Sequence, residues 1–274
     1  MSHPECCPPT GLPARSAAQA GATTPLEGKE FRLRGDIRAY TSRPTGEIKG
    51  AILVFHDIFG FASARTHHLC DEMAKWGYLV LAPDFFGEDL DGIMEYEDIF
   101  TIWAPWRFFT GQGSLFFRRV RVPWTTVEEK MDLALQWLRD NGAENKKVGA
   151  LGFCWGGWAI TRAATTGKFA CAVGAHPAPH VQYFQAEGPG KFEMYSQIKC
   201  PVLFLPSSDD PKWYRPDGAD FLEIKRVSPE SKSVVYMDMI HGWVNRGDIR
   251  LENIKTQVED AMAHTKEYFD RFVL

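Results

Sequence analysis

Short apolar runs alternate along this chain with longer segments in which apolar residues recur every three or four positions. The runs KGAILVFHD (49–57), YLVLAPD (78–84), KKVGALGF (146–153), FACAVGAH (169–176), PVLFLPSS (201–208) and KSVVYMDM (232–239) have the length and content of strands buried on both faces. Between them, SARTHHLCDEMAKWG (63–77) and ADFLEIKRV (219–227) have helical spacing. A helix is also predicted from residue 124. It carries Val127, Met131, Ala134, Leu135 and Leu138 on one face and stops at Asn141-Gly142. The chain closes on a helix whose apolar face is Ile254, Val258, Met262, Tyr268 or Phe269, and Phe272. Nearer the start, EFRLRGDIRAYTSRP (30–44) alternates around Gly35-Asp36 as a β-hairpin does.

Strands that alternate with amphipathic helices predict an α/β fold, a mostly parallel sheet flanked by helices on both faces. Residues 1–27, rich in Pro, Ala, Gly and Thr, are expected to be an irregular tail, and residues 28–274 a single domain. The aromatic stretch within about 88–124 reads either as a lid overhanging the strand ends or as a packed insertion or dimer contact. In sheets of this kind reactive groups gather beyond the carboxyl ends of the strands. That is where candidate chemistry is sought.

Composition narrows the classes. The 274 residues are 45% hydrophobic with net charge -4, so no basic excess draws the chain to nucleic acid or anionic lipid. Apolar runs fall far short of a membrane span. The six cysteines form no C-x-x-C pair and have no histidine at finger spacing, so neither zinc nor disulfides are expected. His67, His68 and Cys70 share one helix and cannot surround a metal. No cofactor is expected. The first residues lack a secretory signal's charged start and apolar core, which makes a reducing cytoplasm the expected compartment.

One strand ends in GALGFCWGG (149–157), where Gly152 and Gly156 frame Cys154 and a helix follows. A nucleophile at so sharp a turn needs small neighbours, and the helix N-terminus favours thiolate over thiol. The bland alternative is a buried core cysteine in a glycine-rich turn. A hydrolase corner also needs a carboxylate and then a histidine later in the chain, each after a strand. Asp209 and Asp210 follow PVLFL, and His241 follows KSVVYMDM. Asp210 is the better acid because it precedes a proline; Asp209 could cap the turn. His176 and His180 follow another strand and could line the site, out of the place expected of the triad histidine.

These motifs together resemble the dienelactone hydrolase (carboxymethylenebutenolidase) family of the α/β-hydrolase superfamily: GFCWGG, DIFG (57–60), PDFF (83–86), PVLFL with Asp210, and HGW (241–243). The resemblance runs from about residue 29 to the end. It implies Cys154 as nucleophile, His241 as acid–base and Asp210 as its orienting acid. It also implies an oxyanion hole from the backbone N–H groups of Ile58 and Trp155, with Asp57 where related enzymes keep an acidic residue against the resting thiol; the alternative for Asp57 is an aspartate that caps a helix or turn. The substrate it implies is a small-molecule ester or lactone, cleaved through a thioester. Glu88 departs from the pattern, standing where bacterial members carry a substrate-binding arginine; Arg246 could supply one positive contact, or be a surface ion-pair partner. Two other readings are a catalytically idle binding protein and a thiol that reacts with oxidants or electrophiles. Monomer and homodimer are both open.

Overall fold

A computed structural model of the chain describes residues 10–13, 15–87, 118–185 and 188–274. The hairpin forms as β1 (Lys29–Leu33) and β2 (Ile37–Ser42), joined through Gly35 and Asp36, both at positive φ (79° and 61°). The connection is three residues, Arg34 to Asp36, and its positive-φ positions let the chain reverse within that length. β2 pairs antiparallel with β4 (Tyr78–Pro83), and from β4 onward the sheet is parallel. β3 (Gly50–Phe55), β5 (Val148–Phe153), β6 (Cys171–Ala175), β7 (Val202–Leu205) and β8 (Lys232–Ser233) complete the order β1-β2-β4-β3-β5-β6-β7-β8. Every residue of β3, β4, β6 and β7 is buried, which is why these strands read as unbroken apolar runs.

Helices cover both faces. On one lie α2 (Trp124–Leu138), α3 (Trp155–Ala164), the short α4 (Lys191–Ser196) and α5 (Ala219–Val227), packing Val127, Met131, Trp158, Ile160 and Phe221 into one core. On the other, α1 (Thr66–Lys75) and α7 (Glu252–Phe272) bury Leu69, Met73, Val258, Met262 and Phe269. A four-residue helix, α6 (Trp243–Arg246), joins the second core through Trp243 and Val244. Each large apolar side chain so enclosed contributes about 1.5–3 kcal/mol. No helix among the described residues is long and apolar enough to cross a membrane.

One element departs from expectation. The strand expected over 232–239 is only Lys232–Ser233 plus an isolated bridge from Tyr236 to Ser207. It is the sheet's outermost strand, and Met239 N–H turns back to the Tyr236 carbonyl at 3.1 Å, ending the extended path. The helix from 124 continues past Leu138 as a widened turn and leaves helical geometry at Asn141 and Gly142, the latter at φ 111°, where the sequence places its stop. The expected lid lies outside the described residues up to 117, as does Glu88; beyond it, Arg119, Val120 and Val122 are buried.

Candidate active site

β5 runs into α3 through a single residue, Cys154, whose backbone is forced to φ 52°, ψ −110°. A non-glycine residue there carries roughly 1–3 kcal/mol of strain and persists only where its surroundings over-determine it. The glycines explain how. A Cβ on Gly152 would lie 2.2 Å from the Gly156 carbonyl oxygen, and one on Gly156 would lie 2.3 Å from the Phe55 carbonyl oxygen of β3. Helix and sheet meet backbone to backbone, and the corner closes only without side chains at either position.

The turn after β6 grips Cys154 from both ends. Its N–H donates to the Ala175 carbonyl at 3.2 Å, and its carbonyl accepts from the Ala178 N–H at 3.0 Å and the Gly157 N–H at 2.8 Å. Between Ala175 and Ala178 sits His176, at φ 39° and fully buried. Its ring stands edge-on to that of His241, 5.0 Å between centroids. Burial, and then the neighbouring His241 and Arg246, hold the His176 imidazole well below the ordinary histidine range.

Asp210 and His241 meet beyond the ends of β7 and β8. The imidazole Nδ1 lies 2.6 Å from Asp210 Oδ1, and both side chains are buried. Asp210 Oδ2 accepts from the Ser207 N–H at 2.8 Å and the Ser207 hydroxyl at 2.7 Å, which fixes the carboxylate plane. Asp209 does something different: its Oδ1 accepts the backbone N–H of His241 at 2.7 Å, and its Oδ2 accepts the Thr10 hydroxyl at 2.7 Å. Of the two aspartates only Asp210 reaches the ring. The tail takes part as well, because Leu12 N–H donates to the His241 carbonyl at 2.7 Å.

Ile58 and Trp155 approach from β3 and α3. Trp155 is the first residue of its helix, so its N–H has no acceptor one turn back. The peptide joining Asp57 to Ile58 is held by its oxygen, which accepts from Gly60 N–H at 3.1 Å and His56 Nδ1 at 2.8 Å. His56 Nε2 accepts from Phe85 N–H, so the proton is on Nδ1. The next peptide is held by Arg119, which is buried and donates to the Ile58 carbonyl at 2.9 Å. In the trans Asp57–Ile58 peptide, the Ile58 N–H lies opposite the anchored Asp57 oxygen.

Asp57 and Arg246 find each other. Arg246 Nη1 lies 2.6 Å from Asp57 Oδ2, with neither side chain exposed. The same carboxylate accepts from Ser63 (2.9 Å), Asn245 (2.8 Å) and Phe59 N–H (2.9 Å), while Arg246 Nε donates to the Leu12 carbonyl at 3.0 Å. Of the two roles open to Arg246, ion-pair partner is the one these contacts express, and the partner lies inside the protein. Asp57 ties the β3 loop to α6, a part close to the turn-capping alternative for it. Ser207, Arg119, Ser63 and Asn245 escaped sequence reasoning, since isolated polar residues in loops carry no periodic signal.

Cys154 has no exposed surface and His241 only 1%. Ile58, Phe86, Trp155 and Trp158 pack in the same apolar cluster as the cysteine. A surface groove of about 880 Å³ opens elsewhere, beside the start of β5 between Glu129, Arg139, Lys147 and Phe169. It lies at the wrong end of the strands for this chemistry.

A family model described as the dienelactone hydrolase family matches residues 37–273. A carboxymethylenebutenolidase homolog of Xenopus tropicalis is 31% identical over 132 residues, 48% of this chain and 47% of that protein, so the match spans about half the relative's length. The hydrolase tropI of Talaromyces stipitatus is 26% identical over 247 residues, 87% of this chain and 88% of that one. Among solved structures, a putative dienelactone hydrolase from Klebsiella pneumoniae superposes with a TM-score of 0.63 at 18% identity, covering 91% of this chain and 100% of that chain. That likeness is one of fold: the architecture is the α/β-hydrolase fold.

Proposed function

The chain belongs to the dienelactone hydrolase family, and on that footing we propose that it hydrolyses ester or lactone bonds of small molecules with Cys154 as nucleophile. The observation that carries this reading is the corner itself. Cys154 is forced into a strained conformation at the carboxyl end of β5, framed by backbone contacts that only glycine permits, and the turn that hydrogen-bonds its backbone carries His176, whose ring packs on that of His241, itself braced by a buried carboxylate.

In the proposed reaction His241 accepts the thiol proton and the sulfur adds to the ester carbonyl carbon. The oxyanion is received by the N–H groups of Ile58 and Trp155, and its collapse breaks the carbon–oxygen bond to the leaving group. His241 returns its proton to the departing oxygen. Water, deprotonated by the same imidazole, then adds to the thioester and releases the acid and the thiol. Asp210 keeps Nδ1 protonated and offsets the imidazolium charge, leaving Nε2 for the transfers. A thiolate departs readily from a tetrahedral intermediate, so cysteine suits esters with stabilised leaving oxygens, enol lactones above all.

Burial of Cys154 means that the side chains packed over it part to admit substrate. The same burial weighs against a thiol that serves chiefly as an oxidant sensor, which needs exposure. Turnover of nitrophenyl esters by the wild type, Cys154→Ala and His241→Ala, with intact-mass detection of an acyl adduct, tests the proposal. Loss of turnover in both variants and an adduct confined to proteins retaining Cys154 is the expected result. Undiminished hydrolysis by Cys154→Ala overturns it.

A further inference from the structure

His176 is a buried imidazole that no other described residue partners. Among the described residues neither Nδ1 nor Nε2 has a hydrogen-bond partner, and the side chain is fully enclosed. Other buried side chains among the described residues have one such atom, but His176 alone has two, which points to a site completed by something else. Its location limits what that is. His176 lies on the turn that hydrogen-bonds the Cys154 backbone at both ends, with its ring 5.0 Å from that of His241 and 6.0 Å from that of Phe153.

The backbone supports the same conclusion. A φ of 39° is uncommon for a residue with a side chain, and His176 holds it while its N–H donates to the Leu205 carbonyl of β7 at 2.9 Å. The turn is therefore fixed on both sides, to β7 and to Cys154, and the ring is held against that of His241 with little freedom. Strain retained beside a nucleophile is characteristic of groups held ready for a ligand.

We propose that His176 is a substrate-contacting residue that hydrogen-bonds an uncharged oxygen of the substrate, a hydroxyl or ring oxygen close to the scissile carbonyl, and so selects neutral oxygenated esters or lactones. A neutral imidazole offers one donor and one acceptor, matching a hydroxyl, which needs both. Burial and the nearby His241 and Arg246 disfavour a second positive charge here, so the ring gives a carboxylate no counter-ion. The arginine that could have done so, Arg246, is already bound to Asp57. The inference rests on the hydrolase reading and extends it to a substrate class.

The test compares kcat/KM for nitrophenyl 3-hydroxybutyrate and nitrophenyl butyrate, which differ by one hydroxyl. Wild type is expected to favour the hydroxylated ester by about tenfold, as one well-placed hydrogen bond allows. His176→Phe abolishes that preference, and His176→Asn, which tolerates positive φ and retains a donor and an acceptor, restores part of it. Where Phe is not accommodated, His176→Ala replaces it. As a measurement independent of these variants, Cys154→Ala saturated with the hydroxylated ester should shift the ring nitrogen resonances of His176, whereas the butyrate should not. An unchanged ester ratio in His176→Phe or His176→Ala, or unmoved resonances, overturns the inference. If instead Cys154→Ala hydrolyses both esters like the wild type, the hydrolase reading itself is what fails.

Discussion

Asp210 and Asp209 divide the work on one histidine: the first holds the His241 ring at Nδ1, 2.6 Å away, and the second holds its backbone N–H at 2.7 Å. Adjacent in sequence and identical in chemistry, they predict different phenotypes. Asp210→Asn removes the acceptor that sets the tautomer and should lower kcat by at least about 100-fold. Asp209→Asn weakens loop contacts that leave the imidazole ring untouched and should cost no more than about tenfold. Steady-state kinetics on a nitrophenyl ester separates them, and equal losses would refute the division.

The Asp57–Arg246 pair predicts a loss of stability. Breaking a fully buried ion pair leaves one charge uncompensated, at a cost of about 3–5 kcal/mol. Asp57→Asn and Arg246→Met should each lower the urea midpoint substantially, and the double variant should lose clearly less than the sum of the two. Additive losses would show that the two side chains act independently.

Arg119 predicts an effect on catalysis that comes from orientation. Its hydrogen bond to the Ile58 carbonyl is charge-assisted, so Arg119→Met should release the loop that bears the proposed oxyanion donor. The expected outcome is a fall in kcat of about tenfold to a hundredfold with KM little altered. A change confined to KM would point to substrate binding.

Gly156 predicts a steric limit. A methyl there meets the Phe55 backbone oxygen at 2.3 Å, and backbone cannot swing aside as a side chain can. Gly156→Ala should destabilise by about 1–3 kcal/mol or more and displace the nucleophile. Thermal unfolding together with iodoacetamide labelling of Cys154 measures both effects.

His67 predicts the acid limb of stability. The ring is buried, stacked on Tyr40 at 4.2 Å, and burial lowers it to about 4 from the usual 6.5, with Asp71 opposing and His68 and His56 assisting. Above pH 6.5 neither folded nor unfolded chain protonates it. Between 6.5 and about 4 only the unfolded chain does, so stability falls by about 1.4 kcal/mol per pH unit from this group. Buried His56 and His176 are lowered as well and act in the same direction. His67→Phe preserves the stacking and should shrink the difference in urea stability between pH 7 and pH 5 by roughly 2 kcal/mol.

What was legible in the sequence follows from what repeats. Strands β3 to β7, buried on both faces, announce themselves as apolar runs, and α5 follows its predicted span, Ala219–Val227, because amphipathic spacing is a local property. β8 was overextended because an edge strand forms few ladder bonds, and no local pattern says where it stops. At the site, Cys154 was conspicuous from its glycines. Asp210 and His241 were conspicuous from their order after strands. The Asp57–Arg246 contact spans 189 positions and Arg119–Ile58 spans 61, so both depend on packing that no short window contains.

The Leu12 contact has a consequence for biosynthesis. Arg246 grips the Leu12 carbonyl across 234 positions, and the Leu12 amide grips His241 in turn. A ribosome delivers Leu12 long before its partners exist, so the histidine loop is braced only after translation has passed it. Until then Leu12 lacks both of these partners, and contacts of such sequence separation are among the slowest to form. Catalytic competence should therefore mature late in folding, after the sheet is already built.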